Sequence, residues 1–416
     1  KQYPQYAELK NKIDYQMSSR ITMDHVLKAY DPDSKLTNLT IENGQIISER
    51  SSDSGEFNAV LFSNLIDFGT KIAEPGYEHR ETLEQTCNAA HYGGYKAIIT
   101  LPVTDPVVDN QSGIEFLTRR SEKYGGIKIF PMGAISEGCK GGDLAGLMEM
   151  NHAGAIAFSD GHYPIRNGGV LMRAMDYVRG IDKIIVDTPY DADLFPHGLV
   201  EEGMVSTIMG VPGIPAPAEE IVVNRDIRLA EYTGASLHLF CISTEGSIEQ
   251  IRKAKASGIK VTASVSANNL VFDSEEMVTY NSNLKLMPPL RNREVSRLLW
   301  EAVKDGTIDI ITSQHMPYEV EKKDLEFQYA SFGALGLQTA IPVLLSKFGV
   351  EAAPYIQKAM SDNIIKIFKL EKGFEDQKLT LFEKCNPYTF REDVIISHCN
   401  NSPFIGRELT FQNMMI

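Results

Sequence analysis

The chain has 416 residues, is 43% hydrophobic and carries a net charge of −14 at pH 7. Its length suits one barrel-sized domain with a small additional module, and its composition is typical of a globular protein with a large core. The negative charge argues against nucleic-acid binding, which needs a basic surface to neutralise phosphates.

The five cysteines are scattered, and none forms a C-x-x-C pair. An odd number of isolated cysteines argues against a disulfide framework, so we expect a reducing, cytoplasmic location. The sequence contains no run of about 18 apolar residues and therefore predicts no membrane span. Its first residues are polar and do not resemble a secretory signal peptide.

The first elements in chain order are a polar extension and a β-hairpin. Residues 1–20 lack an apolar stripe, and we interpret them as an extension. Residues 39–42 and 45–47 predict two strands joined by Asn43-Gly44. This pair supplies the two positive φ angles that a type I′ turn requires.

From about Val60, short apolar runs alternate with amphipathic stretches of helical length. The eight runs that we predict to be strands are 60–67, 97–101, 127–132, 155–158, 184–186, 236–240, 261–264 and 308–312. The stretches that we predict to be helices include 81–91, 114–123, 218–233, 248–256 and 294–304.

Eight strand-then-helix units favour a (β/α)8 barrel, in which functional side chains follow the strands. Gly93, Gly234 and Gly258 lie where three of the helices should end, as is typical of a helix C-cap. An open, doubly wound sheet is the alternative fold.

Strands return after Gly373, at 379–382 and 394–396. With the N-terminal hairpin they predict a small β-sandwich module built from both ends of the chain. The predicted organisation is an extension over 1–20, this module over 21–58 plus 376–416, and the barrel over 59–375.

Nine short motifs connect these elements to a known family. They are Asp67 with 74–82 (EPGYEHRET), 101–106 (LPVTDP), 109–110 (DN), 157–161 (AFSDG), 213–220 (GIPAPAEE), 237–239 (LHL) with 243–247 (STEGS), 288–291 (PPLR), 305–309 (DGTID) and 332–337 (FGALGL). In this order they resemble the dihydroorotases of the amidohydrolase superfamily.

The resemblance implies a cyclic amide hydrolase that interconverts dihydroorotate and carbamoyl aspartate. Such chemistry uses a zinc-type ion to lower the pKa of a water molecule and to polarise a carbonyl group. Imidazoles supply most of the ligands, and a carboxylate acts as the base.

The residues that would hold zinc depart from the family pattern. The His-x-His pair of the family aligns with Gly69 and Lys71, two further ligand histidines align with Thr188 and Cys241, and the catalytic aspartate aligns with Gln314. Glycine offers no donor atom, a lysine ammonium repels a metal cation, and glutamine is not a base at neutral pH. We therefore expect no metal, no cofactor and no catalytic residues.

The positions that contact substrate in the family differ as well. They read Ala73, Val103, Met287 and Tyr318. Asp160 alone clearly keeps a side chain of ligand type. We hypothesise that the Lys71 ammonium replaces the lost cation and pairs with Asp160; the alternative is that Lys71 extends to solvent.

A rearranged zinc site is the main alternative to this loss. None of the nine histidines forms a His-x-His or i,i+4 pair, and we expect only His315 and His162 near the barrel mouth. Cys241 could act as a nucleophile at the end of the sixth barrel strand, but a buried, inert thiol is the alternative interpretation.

Three functions follow from these observations. The first is a non-catalytic dihydroorotase homologue of pyrimidine biosynthesis that acts as a scaffold or regulatory partner, with aspartate transcarbamoylase or a second copy of the chain as its partner. The second is an active dihydroorotase or another cyclic amidohydrolase with a rearranged metal site. The third is a protein that binds a small molecule at the barrel mouth.

Overall fold

A computed structural model describes residues 25–31, 35–42, 45–51, 58–121, 124, 126–374 and 379–414. The predicted extension and the turn residues Asn43 and Gly44 lie outside these residues. The described strands are β1 (His25–Asp31), β2 (Lys35–Glu42), β3 (Gln45–Ser51), β4 (Ala59–Ser63), β5 (Ile66–Thr70), β6 (Ala97–Thr100), β7 (Lys128–Pro131), β8 (Phe158–Ser159), β9 (Ile184–Asp187), β10 (Val200–Glu201), β11 (Gly213–Ile214), β12 (Ser236–Leu239), β13 (Val261–Ser266), β14 (Ile310–Thr312), β15 (Leu379–Thr389) and β16 (Glu408–Asn413).

The α-helices lie mainly between the strands of the barrel. They are α1 (Leu83–Tyr92), α2 (Gln111–Ser121), α3 (Leu147–His152), α4 (Gly168–Gly180), α5 (Met204–Met209), α6 (Pro217–Thr233), α7 (Glu245–Ala256), α8 (Ala267–Val271), α9 (Arg293–Lys304), α10 (Val320–Lys323), α11 (Ala340–Phe348), α12 (Ala353–Gln357) and α13 (Asn363–Phe368). Every predicted helix is present, although α2 and α7 each begin three residues earlier than their apolar patterns indicated.

Eight parallel strands among the described residues follow one another as in a (β/α)8 barrel. β5, β6 and β7 form one sheet, and β8, β9, β12, β13 and β14 form another. A bridge between Gly133 and Phe158 connects the two sheets. Beside β5, the Thr312 hydroxyl at the end of β14 donates to the Phe68 carbonyl. The predicted barrel is confirmed.

The inside of the barrel is apolar. Phe68, Ile99, Val186, Phe240 and Ile310 come from five strand regions and belong to one fully buried cluster. Close packing of such side chains excludes water and makes the barrel interior a solid core. Any side chain at the strand ends therefore competes with this core for space.

A six-stranded sheet joins the two ends of the described chain, in the order β16-β15-β4-β1-β2-β3. β2 and β3 pair in antiparallel register with Glu42 opposite Gln45, as the predicted hairpin requires. β4 belongs to this sheet, although the sequence placed it in the barrel. The division into an extension over 1–20, a module over 21–58 plus 376–416 and a barrel over 59–375 stays a prediction.

Two strand predictions were wrong. The apolar run 60–67 is two strands, because Asn64 adopts a φ of 50° and turns the chain between β4 and β5. Both strands are buried, so the composition of the run did not reveal the break. Residues 394–396 form no strand, since the Ile396 amide donates to the Gln338 side chain.

Helix ends follow local signals in the sequence. Thr82 and Gln85 form a capping box at the start of α1, an arrangement that satisfies two amide groups that would otherwise lack partners. Gly234 ends α6 with a φ of 69°, and Gly258 follows α7 with a φ of 78°. No helix in the described ranges is both long and apolar enough to cross a bilayer.

Candidate functional site

Gly69 lies near the end of β5, where its φ of 77° is left-handed. A Cβ atom added there would stand 2.3 Å from Cε2 of Phe240, well inside contact distance. Phe240 follows β12 and is buried. Its aromatic ring therefore occupies the space that any side chain at position 69 would need.

Lys71 follows β5 and is only 8% exposed. Its Nζ atom lies 3.3 Å from the Tyr318 hydroxyl and 4.9 Å from the centroid of the same ring. Burial, and secondarily the charge of Arg80, lower the pKa of Lys71 to about 8. Among the described residues, Lys71 forms no ion pair with a carboxylate.

Asp160 faces a different set of partners. Its carboxylate accepts hydrogen bonds from the amides of Ile135 and Ser136, both at 2.9 Å, and from the Ser136 hydroxyl. Burial raises the pKa of Asp160 despite these bonds. The hypothesis that Lys71 pairs with Asp160 was wrong, because the backbone turn after β7 supplies donors to Asp160 while Lys71 contacts Tyr318.

The side chains of Thr188 and Gln314 are hydrogen-bonded to backbone carbonyls. The Thr188 hydroxyl donates to the Gly161 carbonyl at 2.5 Å, and the Gln314 amide donates to the Met287 carbonyl at 2.6 Å. Oε1 of Gln314 is buried and has no hydrogen-bond partner. Neither side chain presents a basic group at the mouth.

Cys241 is 2% exposed and follows β12 with a φ of 58°. Burial, and then the charge of Asp67, raise the pKa of its thiol well above the usual range. A thiol of this kind forms little thiolate at neutral pH, and the thiolate is the nucleophilic form. The geometry favours the buried, inert thiol over the nucleophile.

The remaining predicted positions are packed against neighbouring side chains. Ala73 is buried, and the Val103 side chain covers Gly161 so closely that a Cβ atom there would lie 2.5 Å from it. Thr188, Cys241 and Met287 line one narrow cleft with little free volume. The structure thus brings these three together, while Lys71 and Tyr318 form a separate pair.

The two histidines expected near the mouth differ in their surroundings. Nε2 of His315 lies 2.9 Å from Glu81, and the Gly336 amide donates to its Nδ1 at 3.3 Å, so this side chain supports the fold. That His315 lies near the barrel mouth stays a prediction. Burial and the charge of Lys71 lower the pKa of His162 to about 3. That His162 lies near the barrel mouth stays a prediction; its Nδ1 atom is buried without a hydrogen-bond partner.

Sequence reasoning missed Phe240 and the polar network beside the cleft. Glu219 accepts hydrogen bonds from the amides of Ser243 and Thr244, at 2.8 and 3.0 Å, while Arg291 donates to the Ser243 hydroxyl at 3.1 Å. Glu219, Ser243 and Arg291 lie in motifs that the sequence analysis identified, but the motifs do not predict that these side chains contact one another. An apolar residue at a strand end, such as Phe240, resembles ordinary core in a sequence.

The side chains at these positions do not fit zinc. Gly69 has no donor atom, Lys71 is a cation or a poorly accessible amine, and Asp160 already accepts three hydrogen bonds. Within the described ranges, no three His, Cys, Asp or Glu residues are grouped so that they could hold a metal ion. Zinc sites require three or four such donors within about 2.0–2.3 Å of the ion.

The sequence of the chain matches the model of a protein family described as dihydro-orotase-like over residues 58–247. It is 35% identical to the dihydroorotase of Syntrophus aciditrophicus over 353 residues, which cover 83% of each chain. It is 37% identical to the dihydroorotase of Pelotomaculum thermopropionicum over 362 residues, covering 84% of this chain and 83% of that protein. The chain belongs to the dihydroorotase family.

Solved structures place this member of the dihydroorotase family in a wider fold group. An L-hydantoinase (dihydropyrimidinase) from Arthrobacter aurescens superposes with a TM-score of 0.76 and 17% identity, covering 94% of each chain. A dihydropyrimidinase from Brevibacillus agri gives a TM-score of 0.75 and 15% identity, covering 93% of this chain and 91% of the other. At such identities the likeness concerns the fold alone.

A buried pair of carboxyl groups lies behind the mouth of this dihydroorotase-family barrel. Asp187 at the end of β9 and Asp226 on α6 are almost fully buried and share a hydrogen bond, which requires a proton on one of them. Arg225 contacts both carboxylates, at 3.5 and 2.7 Å. Burial, and then the charge of Asp226, raise the pKa of Asp187 well above 3.8.

We expect this pair to make stability depend on pH. Above about pH 4, Asp187 releases its proton in the unfolded chain but keeps it in the folded protein. The stability that Asp187 contributes is therefore lost as the pH rises from this value through the raised pKa of the folded state. Relative to Asp187→Asn, whose amide needs no proton, the wild-type unfolding free energy should fall by about 1.4 kcal/mol per pH unit in that window. Urea unfolding at a series of pH values measures the difference.

Asp176→Asn, at an exposed position on α4, is the matched control and should give a curve parallel to that of the wild type. A constant difference between the wild type and Asp187→Asn across the window would show that the two carboxyl groups do not share a proton.

Proposed function

We propose that this member of the dihydroorotase family does not catalyse the interconversion of dihydroorotate and carbamoyl aspartate, and that it serves pyrimidine biosynthesis as a scaffold or regulatory partner. The observation that carries the proposal is the Phe240 ring in the space of a side chain at Gly69. A metal ligand at that position would require this ring to leave the core.

The other positions support the same proposal. Hydrolysis of a cyclic amide requires an activated water molecule and a base within hydrogen-bonding distance of it. Gln314 is an amide that donates to a backbone carbonyl, and the Asp160 carboxylate is held by the turn after β7. Neither residue can take a proton from water in this arrangement without breaking contacts that support the fold.

The family motifs that remain intact support a role for the folded shape. Glu81 and His315 pair within the barrel wall, and Arg291 joins Ser243 to the Ile214 carbonyl. Residues retained for these contacts stabilise the fold without performing chemistry. As partner we propose aspartate transcarbamoylase, with self-association of the chain as a homodimer as the second possibility.

Metal analysis and an activity assay test the absence of catalysis. The purified protein would be incubated with zinc, desalted and analysed for bound metal, then assayed for cyclisation of carbamoyl aspartate. The dihydroorotase of Syntrophus aciditrophicus, treated in the same way, is the positive control. We expect substoichiometric zinc and no turnover above the blank; one zinc per chain together with turnover would contradict the proposal.

The proposed partnership needs a separate experiment. The chain and the aspartate transcarbamoylase of its own source organism would be co-expressed, and the complex analysed by size-exclusion chromatography with light scattering. We expect co-elution in a fixed stoichiometry. Elution of the two proteins at their separate masses, including at micromolar concentrations, would refute the partnership and leave the catalytic question unaffected.

A further inference from the structure

The short helix α5 is apolar on two sides. Val205 and Met209, four residues apart, are buried against the rest of the protein, whereas Met204 and Ile208 are 80% and 64% exposed. Residues four positions apart lie on the same side of a helix. One apolar side of α5 therefore belongs to the core and the other faces solvent. A helix that is apolar all round is normally covered on all sides, which indicates an interaction surface.

A neighbouring turn extends this exposed apolar side. The 3-10 turn Ser274–Thr279 packs against α5, and the Tyr280 hydroxyl donates to the Met209 carbonyl at 2.7 Å. Single exposed apolar side chains are common on protein surfaces, but a group of neighbouring ones marks a site of interaction. We call this group the α5 face; its exposed side chains are Met204, Ile208, Val278 and Tyr280.

The charged residues beside the α5 face are mostly acidic. Arg293 and Arg407 reach this part of the surface from elsewhere in the chain and form ion pairs with three carboxylates there, so acidic charge remains in excess. Complementary charges favour association, whereas like charges across an interface oppose it. All charged residues of segments 198–214 and 273–281 are carboxylates, namely Glu201, Glu202, Asp273, Glu275 and Glu276.

This charge favours a basic protein as the occupant of the α5 face. A second copy of the chain would bring the same acidic rim and a net charge of −14 to the contact. Membrane surfaces that contain anionic lipids attract basic segments and would repel this rim. A protein surface with an apolar centre and a basic rim matches both the apolar side chains and the carboxylates.

We propose that the α5 face is the surface through which this chain contacts the partner protein of the complex proposed above, and that the partner presents apolar side chains surrounded by lysines and arginines. This inference rests on the proposed role as a scaffold or regulatory partner. A stable interface buries about 800 Å² on each protein, with an apolar core and a polar rim. The α5 face supplies the core of such an interface, and the carboxylates beside it supply the rim.

Oxidative footprinting of the wild-type chain tests where the partner binds. Hydrogen peroxide converts exposed methionines into sulfoxides, which peptide mass spectrometry quantifies. The chain would be oxidised alone and in the presence of saturating aspartate transcarbamoylase. We expect oxidation of Met204 to slow by at least roughly tenfold in the complex, because the partner excludes solvent from the interface core. Met148 on α3 is the control and should keep its rate.

Variants of the α5 face test the same contact through affinity. The double variant Met204→Ser, Ile208→Ser should bind aspartate transcarbamoylase at least roughly tenfold more weakly, since central apolar side chains carry much of the binding energy. Tyr232→Ser is the matched control: Tyr232 is 81% exposed at the other end of α6, and its removal should not change the affinity. Melting temperatures equal to that of the wild type would show that each variant is folded.

Salt and Glu202 test the basic rim. Raising the salt concentration from about 50 to about 300 mM should slow association, because salt screens the attraction between exposed charges. Glu202→Gln should slow association at low salt and match the wild type at high salt. Association that is unchanged or faster at high salt would refute a basic partner surface.

The outcomes separate this inference from the proposed function. A complex in which Met204 is oxidised at its free rate, or which the double variant forms with full affinity, would overturn the α5 face as the contact and leave the partnership intact. No binding by the wild type would refute the partnership and this inference together. Protection of Met204 without aspartate transcarbamoylase, with a dimer mass by light scattering, would overturn the basic partner in favour of a second copy.

Discussion

Gly69→Ala is expected to destabilise the protein by about 2–4 kcal/mol, as measured by urea unfolding. The new methyl group would overlap the Phe240 ring, and overpacking of a closed core costs about 1–3 kcal/mol. The left-handed φ of 77° adds a smaller backbone cost. Gly258→Ala isolates that backbone cost, because Gly258 has a φ of 78° and open space around it; we expect about 1 kcal/mol there.

Substitutions at Phe240 and Gly69 should have coupled effects on the free energy of unfolding. Phe240→Ala alone should cost about 3–5 kcal/mol, since it leaves a cavity in the barrel core. In the double variant Gly69→Ala, Phe240→Ala the overlap no longer exists, so the combined loss should be smaller than the sum by about 1–3 kcal/mol. Additive losses would show that the ring does not restrict position 69, and would remove the main support for the proposed lack of catalysis.

This coupling also bears on any attempt to rebuild a metal site. A histidine introduced at position 69 requires the space of the Phe240 ring, so Gly69→His in the wild-type background should unfold more readily than Gly69→Ala. At position 69 a ligand side chain would therefore meet a packed core, and the present glycine has no donor atom. Restoring ligands one at a time is expected to fail for this reason.

The sequence predicted the barrel because its signals are local. Each apolar run has the length of a buried strand, and glycines such as Gly234 end helices through a conformation that other residues rarely adopt. The assignment of Gly69, Lys71 and Gln314 as replaced positions rests on the family motifs near them in the sequence and stays a prediction.

The contacts of the site could not be predicted, because they depend on residues far apart in the chain. The Phe240 ring, after β12, packs against Gly69 at the end of β5. Lys71, which follows β5, contacts Tyr318, which follows β14. Charge complementarity suggested Asp160 as the partner of Lys71. A carboxylate close to free amide groups is satisfied locally, however, and the turn after β7 supplies those amides.

Glu81→Ala is expected to destabilise the protein by about 3–5 kcal/mol, the usual cost of removing one partner of a buried pair. Glu81 is fully buried and accepts hydrogen bonds from the His315 ring, from the Thr86 hydroxyl at 2.7 Å and from the Ser397 hydroxyl. Burial alone would raise the pKa of Glu81, but the charge and hydrogen bond of His315, together with the hydrogen bonds of Ser397 and Thr86, lower it. Removal of the carboxylate takes this acceptor from the His315 ring and the Ser397 hydroxyl, while the Thr86 hydroxyl keeps the Thr82 carbonyl.

Two further substitutions are controls for the loss of stability in Glu81→Ala. Glu81→Gln keeps the shape and one acceptor oxygen, so it should cost about 1–3 kcal/mol; Glu84→Gln, three residues further on and exposed, should change stability by less than about 0.5 kcal/mol. A Glu81→Ala variant as stable as the wild type would show that other contacts hold His315 in place.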